Sequence, residues 1–184
     1  DEVFAQVGEF GATTFSLTEG SSTMRFTATT PTITTEGAGD EFANLTLDDG
    51  ARFGAATVVS GTTTAGGALT SAGSALTVGD LVLTAATSID TTDGGSDADG
   101  ADVTATSVTG AGNTLSVQAG TGGSLAVSGL TDNVSTLTIA GGAGATFADV
   151  GTSTSGAIAV TGAEDGAVLS FTGDLDATAL TTVG

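Results

Sequence analysis

Short bursts of alternating apolar and small residues recur at a nearly constant step in the second half of the chain. The leading apolar residues of these bursts step by 10, 12, 10, 11, 11 and 11 positions, and they are Leu115, Leu125, Leu137, Phe147, Ile158, Leu169 and Leu180. Each burst has the period of two that is typical of a β-strand, and turn-forming residues separate one burst from the next. This spacing predicts either the hairpins of an antiparallel sandwich or the sides of a coiled parallel solenoid.

Small side chains fill most positions of the chain, which favours the solenoid. The 184 residues include 30 Gly but only 8 Phe and no Trp or Tyr, whereas a sandwich core normally needs more large apolar side chains. Stacked coils bring equivalent positions into register about 4.8 Å apart, so one apolar side chain per side can fill a narrow interior. Two steps make a coil of about 22 residues, which is within the range of solenoid repeats. We therefore expect an all-β, parallel β-solenoid-like stack, with an antiparallel β-sandwich as the alternative.

The first part of the chain differs in composition from the rest. Six of the eight Phe, both Arg and the only Pro precede residue 54. We predict a Phe-rich N-terminal β segment over residues 1–60 and a Thr/Gly/Ala-rich β-repeat region over residues 61–184. The N-terminal segment either caps the solenoid or docks on a neighbouring subunit. For docking, the candidate assembly residues are Phe4, Val7, Phe10 and Phe15.

The residue types that are missing exclude most catalytic chemistry. The chain has no His and no Cys, so it cannot form a Ser–His or Cys–His nucleophile or a typical zinc site, and it has no Lys for a Schiff base. Neighbouring carboxylates lie beside Gly and other small residues, which is typical of turns rather than of a glycosidase pair. We therefore predict that the chain is not an enzyme and that it uses no cofactor other than, at most, calcium.

The charge balance limits the partners. Twenty-one Asp and Glu against two Arg give a formal net charge of −19, which repels nucleic acid and anionic membrane surfaces and attracts divalent cations. The apolar runs are too short to insert into a membrane. The mean hydropathy of +0.33 is too high for a disordered polyanion, so the chain is expected to pack.

An acidic cluster is the site-like feature of the sequence. Five aspartates lie within the stretch DTTDGGSDADGAD, and these candidate calcium ligands are Asp90, Asp93, Asp97, Asp99 and Asp102. Calcium takes six to eight oxygen ligands from flexible, carboxylate-rich loops, and Gly allows the tight backbone of such loops. The stretch lacks the complete spacing of a known calcium motif, so a solvated acidic loop is the alternative.

Two sequons are candidate glycosylation sites if the source glycosylates its exported proteins. They are Asn44-Leu45-Thr46 and Asn133-Val134-Ser135. The chain begins at Asp1 rather than Met, which we interpret as a fragment or as a mature secreted protein whose signal peptide has been removed.

Repeated units in residues 67–184 carry a resemblance to known proteins. The units GGSLAVSGLTDN, STLTIAGGAGA and SGAIAVTGAEDGAVLSFTG, together with the absence of Cys and Lys, resemble bacterial surface-layer, repeat-in-toxin-type adhesin and extracellular matrix fibre proteins. The resemblance implies a secreted, β-rich structural subunit, often calcium-dependent, that assembles with copies of itself. The tandem glycine–aspartate calcium repeats of those families are missing from this chain.

These observations favour a non-catalytic structural subunit that self-assembles into an extracellular fibre, matrix filament or surface lattice. Strand exchange through the N-terminus is the expected mode of assembly. The alternative is a calcium-dependent adhesin or surface-binding module that acts within a larger chain, with a cell-surface polysaccharide as a candidate partner.

Overall fold

The computed structural model describes residues 2–4, 23–27, 29–33, 41–161 and 163–183. The fold is all-β, with 69% of residues in strands. The described residues contain no helix, so that part of the chain has no transmembrane helix. The strands are β1 (Glu2–Phe4), β2 (Thr23–Phe26), β3 (Thr32–Ile33), β4 (Glu41–Phe42), β5 (Asn44–Leu47), β6 (Ala51–Phe53), β7 (Thr57–Val59), β8 (Thr62–Ser71), β9 (Leu76–Thr77), β10 (Asp80–Asp90), β11 (Val103–Ala105), β12 (Ser107–Thr109), β13 (Thr114–Gln118), β14 (Ser124–Asp132), β15 (Thr136–Thr161), β16 (Ala163–Phe171) and β17 (Leu175–Val183).

The strands coil into a parallel β-solenoid of about 7 turns with three sides. Each strand pairs in parallel with the strand one coil later. Side 1 contains β1, β2, β5, β12, the first parts of β8, β10 and β17, the last part of β14 and the part of β15 around Val150. Side 2 contains β3, β6, β13, the last parts of β8, β10 and β17, and the first and last parts of β15. Side 3 contains β4, β7, β9, β11, the first part of β14, the part of β15 around Phe147, and β16. The predicted solenoid is confirmed, and the antiparallel sandwich is wrong.

Coil length varies around the predicted value, and the coil has one more side than the sequence spacing indicates. Leu45 pairs with Thr63, 18 residues further along, whereas Leu81 pairs with Val108, 27 residues further along. The bursts that begin at Leu115 and Leu125 lie on sides 2 and 3. Side 1 falls between the bursts because its strands contribute few large apolar residues in that half of the chain.

Alternating side chains from the three sides fill the interior. In β13, for example, Leu115 and Val117 are buried while the residues between and beside them are at least partly exposed. Equivalent residues of neighbouring coils stack into inward-facing rows, because adjacent strands lie about 4.8 Å apart. On side 3 the rings of Phe147 and Phe171 stack with their centroids 5.7 Å apart. One continuous apolar core therefore runs along the solenoid axis.

Glycine is required where the chain turns a corner against a neighbouring coil. Gly79 has a φ of +56°, and a Cβ there would overlap with the carbonyl oxygen of Gly61. Gly50 has a φ of +81°, and its Cβ would overlap with the backbone of Ala68. Backbone contacts this close explain why a chain with this fold is rich in small residues.

The N-terminal segment contributes strands to the same stack. β1 pairs with β2 on side 1, and Phe26, Phe42 and Phe53 are buried in the core. Parallel pairing continues across residue 60, since β5 and β6 pair with β8, and β7 pairs with β9. The division into segments 1–60 and 61–184 stays a prediction based on composition.

Candidate functional site

The predicted calcium ligands lie in and around an insertion between sides 2 and 3. Residues 91–102 connect β10 to β11, and we call them the acidic loop. The equivalent corner of the next coil, between β13 and β14, has only the five residues 119–123. The acidic loop therefore extends from a corner that the rest of the solenoid turns with fewer residues.

Asp90 caps the start of the acidic loop. Its Oδ1 accepts hydrogen bonds from the backbone N–H of Thr92 at 2.8 Å and from the Thr92 hydroxyl at 2.6 Å, while its Oδ2 accepts one from the Gly94 N–H at 3.1 Å. These are the bonds by which an aspartate stabilises a turn that follows it. Both carboxylate oxygens of Asp90 are thus occupied by the loop itself.

A buried threonine closes the base of the acidic loop. Thr91 is fully buried, and its hydroxyl donates to the carbonyl oxygen of Ala101 and accepts from the Ala101 N–H, both at 2.9 Å. This pair of bonds joins the two ends of the loop and satisfies a hydroxyl that would otherwise be buried without a partner. The loop is consequently held in shape by protein groups.

Asp93 forms an ion pair with a residue two coils below. Its Oδ2 accepts a hydrogen bond from Arg52 Nη2 at 2.7 Å, and the two side chains are 30% and 41% exposed, respectively. Asp93 adopts a φ of +51°, a left-handed conformation in which Asp and Asn are tolerated better than other side chains. Arg52 was not among the predicted site residues because 41 positions separate it from Asp93.

The other three aspartates each contact a different neighbour. Asp97 packs against Gly73 of the coil below, where a Cβ would overlap with its carboxylate. Oδ1 of Asp99 accepts a hydrogen bond from the Thr121 hydroxyl at 3.2 Å. Oδ1 of Asp102 accepts two from Ser124, from the backbone N–H at 2.9 Å and from the hydroxyl at 2.8 Å.

The five predicted calcium ligands are therefore spread over the end of β10 and the acidic loop, and they serve mainly as hydrogen-bond acceptors. The described part of the chain contains no group of three or more acidic side chains placed to hold a metal ion. A groove of about 240 Å³ adjoins the loop, and its lining residues are Thr92, Gly95, Ala98, Gln118, Gly120, Thr121 and Gly141. Calcium binding at the acidic loop stays a prediction.

The second arginine also forms an ion pair between coils. Arg25 contacts the carboxylate of Asp48 through Nε at 3.1 and 3.2 Å and through Nη2 at 2.8 Å. The hydrogen bond and the charge of Asp48 raise the pKa of Arg25 above its ordinary value. Because the sequence has only these two arginines and no lysine, every basic side chain of the chain is engaged in an intrachain ion pair.

The predicted assembly residues are only partly placed. Phe4 lies at the end of β1, where its backbone is in register with Phe26 of β2. Val7, Phe10 and Phe15 lie outside the described residues. Their role in assembly stays a prediction.

The C-terminal coil carries an apolar surface that the sequence analysis did not single out. Among the described residues, four large hydrophobic side chains are exposed, and three belong to β16 and β17: Val168 at 66%, Leu175 at 42% and Leu180 at 48%. The fourth, Val58, lies on side 3 near the other end and is 39% exposed. We call β16 and β17 together the terminal coil. Their inner edges pair with β15, and no described strand pairs with their outer edges.

The sequence contained a signal for this surface. Leu169 and Leu180 belong to the 11-residue pattern, so they occupy positions that are buried in the preceding coils. Their equivalents Ala145 and Ile158 are 4% and 1% exposed, whereas Leu180 is 48% exposed. What differs in the terminal coil is the absence of a described coil above it.

Comparison with known proteins finds no matching family model, no similar curated protein and no similar solved structure.

Proposed function

We propose that this chain is a non-catalytic structural subunit that assembles end to end with copies of itself into an extracellular fibre or surface lattice. The observation that carries the proposal is the terminal coil, whose outer strand edges pair with no described strand and whose exposed Leu175 and Leu180 have buried equivalents, Val150 and Ile158, in the coil below. Unpaired edges are templates for the addition of further strands. A head-to-tail contact of this kind does not close on itself, so it generates filaments rather than discrete oligomers.

Side 1 offers a route for strand addition. β17 begins on side 1 at Leu175, and β1 forms the first described strand of the same side at the opposite end of the stack. In the proposed contact, β1 of one copy lies against Leu175 of the copy before it and continues the parallel ladder. The predicted assembly residue Phe4 is part of this strand.

The net charge sets the conditions for assembly. Two copies that each carry a formal charge of −19 repel each other, and no basic side chain is free to offset this. The Debye length falls from about 10 Å at 0.1 M ionic strength to about 3 Å at 1 M. Assembly should therefore be promoted by salt and by millimolar calcium, with the larger response to calcium if the acidic loop binds it.

The proposal is tested by negative-stain electron microscopy and sedimentation of the purified 184-residue chain. The informative variant is Leu180→Asp, which places a charge on the terminal coil. Its matched control is Val58→Asp, which adds the same charge at a similarly exposed hydrophobic residue on side 3. We expect filaments from the unmodified chain and from the control, and dispersed monomers from Leu180→Asp. Unchanged thermal unfolding would show that both variants fold.

Two results would overturn the proposal. Filaments from Leu180→Asp as abundant as those from the control would remove the terminal coil from the contact. Dispersed monomers of the unmodified chain at every salt, calcium and protein concentration would instead favour a binding module within a larger chain. Deleting residues 1–12 probes the other partner of the contact and should leave a folded monomer that forms no filaments.

A further inference from the structure

The chain contains three asparagines, and the structure uses their side chains differently. Asn44 lies at the start of β5 and its Oδ1 accepts a hydrogen bond from the Thr62 N–H of the next coil at 2.9 Å. Asn113 donates from Nδ2 to the carbonyl oxygen of Leu83 at 3.2 Å. Asn133 is exposed, and its carboxamide forms no hydrogen bond within the described residues.

Asn133 is held on the outside of a rigid corner. It lies between β14 and β15, where the chain turns from side 1 to side 2. Its carbonyl oxygen accepts a hydrogen bond from the Gly112 N–H at 2.8 Å, and the next residue, Val134, is buried in the core at 2% exposure. The hydrogen bond to the coil below and the buried Val134 side chain thereby hold the backbone of the corner, while the Asn133 side chain is exposed to solvent.

The space next to this side chain is open on the side of the coil below. Gly112 of the coil below has no atom within 4 Å of the position that its Cβ would take. Ser135, two residues after Asn133, is also exposed, and its backbone N–H donates to the carbonyl oxygen of Asn113 at 2.9 Å. An exposed asparagine and an exposed serine in the order N-x-S form the acceptor that N-glycosylation requires.

The second sequon has the same sequence pattern but not the same accessibility. Asn44 is half-buried, and Gly61 of the next coil packs against its Oδ1, which would lie 2.6 Å from a Cβ at Gly61. Its carboxamide oxygen is already bonded to the Thr62 N–H. A sugar on Nδ2 of Asn44 would have to be accommodated beside this contact between coils, whereas the Asn133 side chain is exposed.

We propose that Asn133 is an N-glycan acceptor of the folded chain and that Asn44 is not. In the transfer, Nδ2 of Asn133 attacks C1 of the sugar of a nucleotide-sugar or lipid-linked donor. A new N–C1 bond forms, the C1–O bond to the donor phosphate breaks, and the phosphate departs with the bonding electrons. The displaced Nδ2 proton goes to a base of the transferase.

The corner leaves assembly unobstructed when it is modified. Asn133 precedes β15, and its corner lies two coils below the equivalent corner of the terminal coil, because Thr131 pairs with Val150 and Val150 pairs with Leu175. It therefore lies on the side of the solenoid rather than at an end. A glycan there covers a lateral surface and keeps the strand edges of the terminal coil free. The inference is independent of the proposed function, because acceptor accessibility does not require that the chain polymerise.

The test is in vitro modification of the folded, purified chain by a soluble N-glycosyltransferase with UDP-glucose, followed by intact-mass and peptide mass spectrometry. We expect one hexose, on Asn133. The variant Ser135→Ala removes the sequon but keeps Asn133 in its left-handed conformation, with a φ of +53°, so it should fold normally and lose the modification. The control Thr46→Val removes the other sequon and should leave the modification unchanged.

A denatured sample separates the effect of folding from the effect of sequence. The unfolded chain should be modified at both Asn44 and Asn133, because both sequons are then accessible to the enzyme. A folded chain that stays unmodified at Asn133, or that is modified at Asn44 to the same extent, would overturn the inference. Persistence of the hexose in Ser135→Ala would overturn it as well.

Discussion

Two threonines in the core of side 1 are predicted to destabilise the protein. Thr63 and Thr131 are each 1% exposed, and neither hydroxyl has a hydrogen-bond partner among the residues that the structure describes. Thr63 stacks between Leu45 and Leu81, and Thr131 occupies the same inward row between Val108 and Val150. A buried hydroxyl without a partner costs about 1–3 kcal/mol relative to an apolar group of the same shape.

Replacing either threonine with valine keeps the β-branched shape and removes the unbonded hydroxyl. Thr63→Val and Thr131→Val should each raise the free energy of unfolding by about 1–2 kcal/mol. For a domain of this size, this corresponds to an increase in Tm of roughly 2–8 °C per substitution. The two sites lie three coils apart, about 14 Å along the axis, so their effects should add.

The assay is urea and thermal unfolding followed by circular dichroism, with Thr87→Val as the matched control. Thr87 is 3% exposed, but its hydroxyl donates to the carbonyl oxygen of Ala85 at 3.0 Å. Its replacement should therefore destabilise the protein by about 1 kcal/mol. If Thr63→Val lowers stability as much as the control does, the hydroxyl has a partner and the reasoning is refuted.

Three further predictions, the first with Ala126→Gly as its control, test the corners and the acidic loop. Ala111 has a φ of +50° and is exposed, so Ala111→Gly should stabilise by about 1 kcal/mol, whereas Ala126→Gly in β14 should destabilise by about 0.5–1 kcal/mol in the same unfolding assay. Gly79→Ala places a Cβ onto a backbone carbonyl at a positive φ, so the free energy of unfolding should fall by several kcal/mol or soluble expression should be abolished. A fall of less than about 1 kcal/mol would contradict the close approach of the coils. Arg52→Gln breaks the half-exposed ion pair with Asp93. The Tm should change little, because an exposed ion pair contributes little to stability, while amide hydrogen exchange in the acidic loop should accelerate. Unchanged exchange would mean that the ion pair does not restrain the loop.

The fold could be predicted from local sequence because the inward-facing positions of two sides repeat at short range. Leu115 and Leu125 begin strands on successive sides, and the step of 10 residues between them is visible in the sequence. Side 1 left no comparable pattern, since its inward row in the same region includes Thr131 between Val108 and Val150. A threonine in an apolar row looks like a surface position in the sequence, so the third side emerged only from the structure.

The acidic loop was found in the sequence, but the partners of its carboxylates were not. Asp90 contacts residues two and four positions away, which turn chemistry could have indicated. Asp102 contacts Ser124 in the next coil, and Asp93 contacts Arg52 two coils below. These pairings depend on how many residues each coil contains, and this number varies along the chain because corners accept insertions.

Exposure of the terminal coil could not be predicted from the pattern for a related reason. Leu180 and Ile158 occupy equivalent positions, but a described coil packs above Ile158 and none packs above Leu180. Burial in a solenoid is a property of neighbouring coils rather than of the residue type. The proposed end-to-end assembly would bury these side chains under a second copy.

X-ray fibre diffraction from oriented filaments of the purified chain tests end-to-end assembly most directly. If the solenoids stack with their axes along the filament, the spacing between strands gives a strong reflection at about 4.8 Å on the meridian. The same reflection on the equator would mean that the solenoids lie across the filament and associate through their sides. That result, or the absence of any filament to orient, would contradict assembly through the terminal coil.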